Sequence, residues 1–194
     1  MKKQSIYILF FALIFVYACK KEKKQSDEAV TEEIAIEEVV EKPTKKIIIN
    51  LTAKSDSNVS GTAVFTEEPD GSIKMVALLS NLSEGSHAIH LHEKADCSSA
   101  DGKSTGGHWN PTAEPHGKWG DETGYHKGDI GNFEAEANGN GTITFITDQW
   151  CIGCDDASKN IIGKAVIVHQ GTDDYVSQPS GAAGSRISCG GIIE

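Results

Sequence analysis

Six of the seven histidines in this chain of 194 residues fall where their side chains could share metal ions. The stretch SHAIHLHEKADC, residues 86–97, holds three of the seven within six positions and reads as a β-strand. Residues two apart on a strand project from the same face, so His90 and His92 lie side by side. Paired imidazoles on a rigid strand make half of a transition-metal site. His87 is an odd number of positions from both and faces the other way. We read it as a satisfied, buried or edge histidine and not as a ligand. GGHWNP supplies His108, EPHGKWGD supplies His116, and AVIVHQ ends a strand with His169. GYHKGDIGNF supplies His126 and, three residues later, Asp129. A carboxylate with three histidines fits a closed tetrahedral zinc site. One such histidine can be incidental, but six in this order are hard to explain as packing.

The elements that must position them begin at Ile47. Short runs rich in Val, Ile and Thr alternate there with Gly, Asn, Asp and Ser clusters. IIINLTA, GTAVFTEE, IKMVALLS, HAIHLHE, FEAEA, GTITFIT and KAVIVHQ read as strands, separated by turn signals such as EPDGS, NLSEGS and NGNG. Helical periodicity is missing, so the domain is an all-β sandwich or barrel of seven or eight strands. Residues 93–131 carry few strand signals, and loops of such length are usually functional.

The N-terminus is of another kind. A basic start, MKKQS, precedes the apolar run IYILFFALIFVYA and Cys19, which predicts a signal peptide over residues 1–18. Val16-Tyr17-Ala18-Cys19 resembles the lipobox of bacterial lipoproteins, which implies lipidation of Cys19 and a membrane anchor. The alternative is an ordinary signal with an incidental cysteine. Residues 19–46 are dominated by lysine and glutamate and read as a solvated tether. The net charge is −10, and removing residues 1–18 takes Lys2 and Lys3 with it. An acidic chain of this kind is not expected to bind nucleic acid, although a locally positive site can still attract a small anion.

Residues 47–194 resemble the copper/zinc superoxide dismutase family, in a bacterial lipoprotein form. AIHLHE, GGHWNP, the His116–His126–Asp129 run ending in GDIGN, AVIVH and GAAGSRISCGGI carry the resemblance. It implies an eight-stranded Greek-key β-sandwich or barrel, immunoglobulin-like in architecture, with long metal-binding loops. It also implies one copper per chain on His90, His92, His108 and His169, and one zinc on His108, His116, His126 and Asp129. His108 would then bridge the metals, and Asp173 would hydrogen-bond ligands of both. Arg186 would stand beside the open copper position, where with His108 it serves the dismutation of superoxide to dioxygen and hydrogen peroxide. The family includes monomers and homodimers, and the resemblance does not choose between them. The expected location is the bacterial cell envelope, periplasmic or surface-exposed.

Four cysteines besides Cys19 in an oxidising compartment suggest two bridges, and four allow three connectivities. The resemblance selects Cys97–Cys189. That leaves Cys151 and Cys154 in WCIGC, which we read as a local staple rather than free thiols or a metal-capturing pair. Ala95 and Ala182 stand where the family more usually has glycine. Many relatives also carry a lysine in the loop before the arginine, and QGTDDYVSQPSGAAGS has none. Either Arg186 steers the anion alone or a lysine from elsewhere substitutes. Two other readings use the same sequence differently. A metal scavenger would need affinity without redox cycling, and an immunoglobulin-like surface lipoprotein would leave the histidines unexplained.

Overall fold

The computed structural model describes residues 44–193. The expected signal peptide, Cys19 and nearly all of the tether lie outside the described residues. Eight strands form: β1 (Lys46–Ala53), β2 (Ser60–Glu67), β3 (Ile73–Ser80), β4 (Gly85–His92), β5 (Gly131–Ala135), β6 (Gly141–Thr147), β7 (Ala165–His169) and β8 (Arg186–Gly191). They close into a barrel in the order β1-β2-β3-β6-β5-β4-β7-β8. Every pairing is antiparallel. The sub-order β7-β4-β5-β6 is a Greek key, with the fourth strand returning beside the first. Closure leaves no unpaired sheet edge.

Two details differ from the sequence reading. The run RISCGG forms β8, although Ser, Cys and Gly give it little strand character. It is held by pairing with β7 on one side and β1 on the other. The strand expected over FEAEA begins two residues earlier and ends at Ala135, because Glu136 is taken into a turn with Gly139 and Asn140.

Alternation explains the core. Ile49 and Leu51 of β1, Phe65 of β2, Met75 and Leu79 of β3 and Leu91 of β4 point inward and are buried. Burying one such side chain contributes about 1.5–3 kcal/mol. The outward faces of β1, β3 and β6 instead leave Ile48, Leu78 and Ile146 exposed. Strand β4 breaks this pattern, being buried continuously from His87 to His92, and β7 is buried throughout. Their inner faces meet the core while their outer faces lie under the long loops, so both faces are covered. Imidazoles on the outer face of β4 are therefore enclosed by protein and have little contact with solvent.

Candidate metal centre

His90 and His92 project from the outer face of β4, and His169 ends β7 beside them. The loop after β4 returns to this face at once: His108 makes an isolated bridge with His92, and the Trp109 N–H donates to Leu91 O at 2.8 Å. Gly128 closes the turn by donating to Trp109 O and accepting from Leu91 N–H, both at 2.9 Å. A Cβ at Gly128 would overlap Leu91 O, so glycine is required there. This brings His126 and Asp129 over the same patch.

All seven expected ligands converge as two overlapping groups. His90, His92, His108 and His169 form one, and His108, His116, His126 and Asp129 the other, with ligand atoms within 4.8 Å of one another in each. Every member is buried. His108 belongs to both: its Nδ1 lies 2.8 Å from Asp129 Oδ1, while its Nε2 is buried without a partner. His90 Nδ1 is likewise unpartnered, while its Nε2–H donates to Asp173 Oδ2 at 2.8 Å. His116 Nδ1 and His126 Nδ1 lie 3.0 and 3.2 Å from Asp129 oxygens, in directions that form no hydrogen bond. Leaving a buried polar atom unpaired costs about 1–3 kcal/mol. Several such nitrogens aimed at two common points are what two cations would satisfy, so the residues fit a pair of metal ions.

The outer contacts fix each ring. His92 Nδ1–H donates to Gly106 O at 3.0 Å, which leaves its Nε2 facing His169 Nε2 at 3.4 Å. Asp173 accepts from His90 with one oxygen and from His116 Nε2 at 2.9 Å with the other, so one carboxylate ties the two groups together. Asp173 is itself held by Asn132 of β5, whose side-chain amide bonds both its N–H, at 2.8 Å, and its C=O, at 2.9 Å. Such outer contacts orient ligands and tune affinity.

Electrostatics separates the two sides. Burial pushes the pKa values of His90, His92 and His169 down and that of His108 to about 4, so these imidazoles are neutral, with lone pairs to offer. At His116 burial acts in the same sense, but Asp129 and Asp173 outweigh it and raise the pKa to about 9. Burial would likewise raise Asp129, yet its contacts with His108, His116 and His126 hold it well below the usual carboxylate range. The Asp129 corner therefore favours positive charge.

A cavity of about 520 Å³ opens over the first group, lined by His92, His108, His169 and Arg186 among others. Arg186 donates to Gly102 O at 2.9 Å and to Thr105 Oγ1 at 3.0 Å, both in the loop that carries Cys97. The Cys97–Cys189 disulfide, spanning 92 residues, ties this loop to β8. Closing so long a loop is worth on the order of 4–5 kcal/mol in the chain-entropy account. Lys103, on a single 3₁₀ turn (Lys103–Thr105), also lines the cavity. It sits 3.0 Å from Asp101 and is largely exposed, whereas residues 170–185 bring no lysine to the cavity. No sequence signal marked Lys103 or Thr105, because only folding brings this turn beside Arg186.

His87 faces away from the group, 1% exposed. Its Nδ1 lies 3.0 Å from His169 O, and its Nε2 meets Ser83 O at 2.9 Å and Ser83 Oγ at 3.2 Å. It supports the backbone of His169 and offers no ligand atom. Cys151 and Cys154 form a disulfide, and next to it the Trp150 indole N–H donates to Lys127 O at 2.8 Å. Ala95 has no positive φ, whereas Ala182 sits at φ 52, a conformation that costs a non-glycine residue about 1–2 kcal/mol.

Residues 59–192 match the sequence profile of the family described as copper/zinc superoxide dismutase. Among solved structures, a SOD-like protein from Bacillus subtilis is 29% identical, with a TM-score of 0.67, covering 75% of this chain and 97% of that one. A double mutant of a SOD-like protein from the same organism, in which a tyrosine and a proline become histidines, is 30% identical with a TM-score of 0.68 and covers 76% and 97% of the two chains. The clock protein EA4 is 32% identical with a TM-score of 0.65 and covers 76% of this chain and 94% of that one. The profile match spans well over half of the sequence and includes every residue of both histidine groups. The chain belongs to the copper/zinc superoxide dismutase family.

Proposed function

We propose that this protein dismutes superoxide to dioxygen and hydrogen peroxide, with copper on His90, His92, His108 and His169 and zinc on His108, His116, His126 and Asp129. The sharing of His108 carries this reading. One imidazole presents Nδ1 to the carboxylate group and Nε2 to the all-histidine group, beside the cavity that Arg186 lines. Bound copper would supply the redox chemistry, accepting an electron from one superoxide and returning it to another, and zinc would brace the loop without redox change.

The remaining steps belong to the chain. Arg186 is a fixed cation, held by Gly102 and Thr105, that draws a small anion towards the histidines of an acidic protein. His108, whose Nδ1 faces the second group, can hold a proton at Nε2 and pass it to the second superoxide. With the second proton drawn from solvent, two superoxide anions leave as dioxygen and hydrogen peroxide. Asp173 keeps His90 and His116 oriented throughout.

The predicted leader and Cys19 support a lipid-anchored protein of the bacterial cell envelope, with the acidic tether spacing the domain from the membrane. Among the described residues no helix is long and apolar enough to cross a membrane.

Arg186→Ala tests the capture step. The expected rate at low salt is roughly tenfold below the parent, with both metals retained and a weaker dependence on ionic strength. Lys103→Ala is expected to cost no more than roughly twofold, because an exposed and already paired charge contributes little. An Arg186→Ala protein with unchanged rate and salt dependence would remove Arg186 from the mechanism.

A further inference from the structure

We infer that Gln178 is a positioning residue for His116, its carboxamide clamping the His116 backbone and so setting how long zinc stays bound. This rests on the assignment of zinc to the second group. His116 stands in a stretch, residues 111–127, that contains no strand or helix to hold it. Its N–H donates to Gln178 Oε1 at 2.9 Å, and its C=O accepts from Gln178 Nε2 at 2.9 Å. This is the two-bond exchange of paired strands, made here by a side chain 62 residues away. Among the described residues no other group bonds either backbone atom. His116 is 3% exposed, so without Gln178 a donor and an acceptor lose their partners where water is scarce.

The loop over residues 170–185 thus grips one ligand at two points. Asp173 fixes the ring through Nε2, and Gln178 fixes the main chain that carries it. A ring held only at Nε2 can pivot as its Cα shifts. With both ends held, the direction of the unpartnered Nδ1 is determined. Asn132 treats the Asp173 backbone in the same way, so two carboxamides order the parts of the site that no sheet reaches. Gln178 is exposed, so replacing it removes no core packing.

The test uses zinc-loaded parent, Gln178→Met and Gln178→Glu proteins mixed with excess chromogenic chelator, together with the visible spectrum of cobalt(II) placed in the zinc position. Gln178→Met keeps the side-chain length and loses both bonds. It is expected to release zinc about tenfold faster and to alter the cobalt spectrum. Gln178→Glu keeps the acceptor and loses the donor, and should fall between. The metal-free chain should stay folded in all three, melting only a few degrees lower where bonds are lost. Zinc release from Gln178→Met within twofold of the parent, with an unchanged cobalt spectrum, would overturn the inference. A parent protein that itself retains no zinc would overturn the zinc assignment beneath it.

Discussion

A His108→Ala protein is expected to lose activity by roughly a hundredfold per copper bound, the usual scale for removing a proton donor from a reacting centre. His108 is the single residue common to both groups, and its Nε2 is the unpartnered nitrogen facing the first of them. Alanine leaves His90, His92 and His169 to hold copper and leaves His116, His126 and Asp129 to hold zinc. Both ions should therefore bind, more weakly, and copper content should fall less than the rate does. The measurement is activity divided by bound copper, alongside zinc content. A loss of activity in strict proportion to lost copper would mean that His108 is only a ligand and moves no proton.

Gly181→Ala is expected to disrupt the centre from a residue that touches no metal. Gly181 has φ 67, in the left-handed region, and a Cβ there would overlap Asp173 Oδ1 and come within 2.7 Å of His116 Nε2. The displaced group would be the carboxylate that joins the two histidine groups, so both would lose orientation together. Zinc affinity should fall by roughly 10- to 100-fold, and copper affinity should also drop. Competition with a chelator for each metal measures this. Ala182→Gly is the control: Ala182 is exposed and already left-handed, so glycine there should leave both affinities unchanged. If Gly181→Ala keeps the zinc affinity of the parent, the Asp173 link is not what orders the site.

The ligands were legible in the sequence because metal chemistry admits few residue types. Histidine is scarce, the strand period assigns His90 and His92 to one face, and family motifs placed the rest. The barrel was legible because short runs rich in Val, Ile and Thr alternate with turn signals, and because β1, β2 and β3 bury every second residue. The strand β8 was not, since Ser188, Cys189, Gly190 and Gly191 carry no β preference and its place follows from neighbours far along the chain. The supports were equally hidden. Lys103, Thr105, Asn132 and Gln178 are ordinary polar residues whose roles exist only once loops distant in sequence meet. Gln178 lies in a run of Ser, Pro and Gly, where an amide raises no suspicion until it is found paired with His116.

The most direct measurement is superoxide dismutation by the purified, zinc-loaded chain as copper is added. Activity that rises in proportion to copper, levels near one copper per chain and disappears with a copper chelator is the predicted result. Tight uptake of one copper with no dismutation above that of free solution would contradict the central claim and leave a metal-holding protein on a dismutase scaffold.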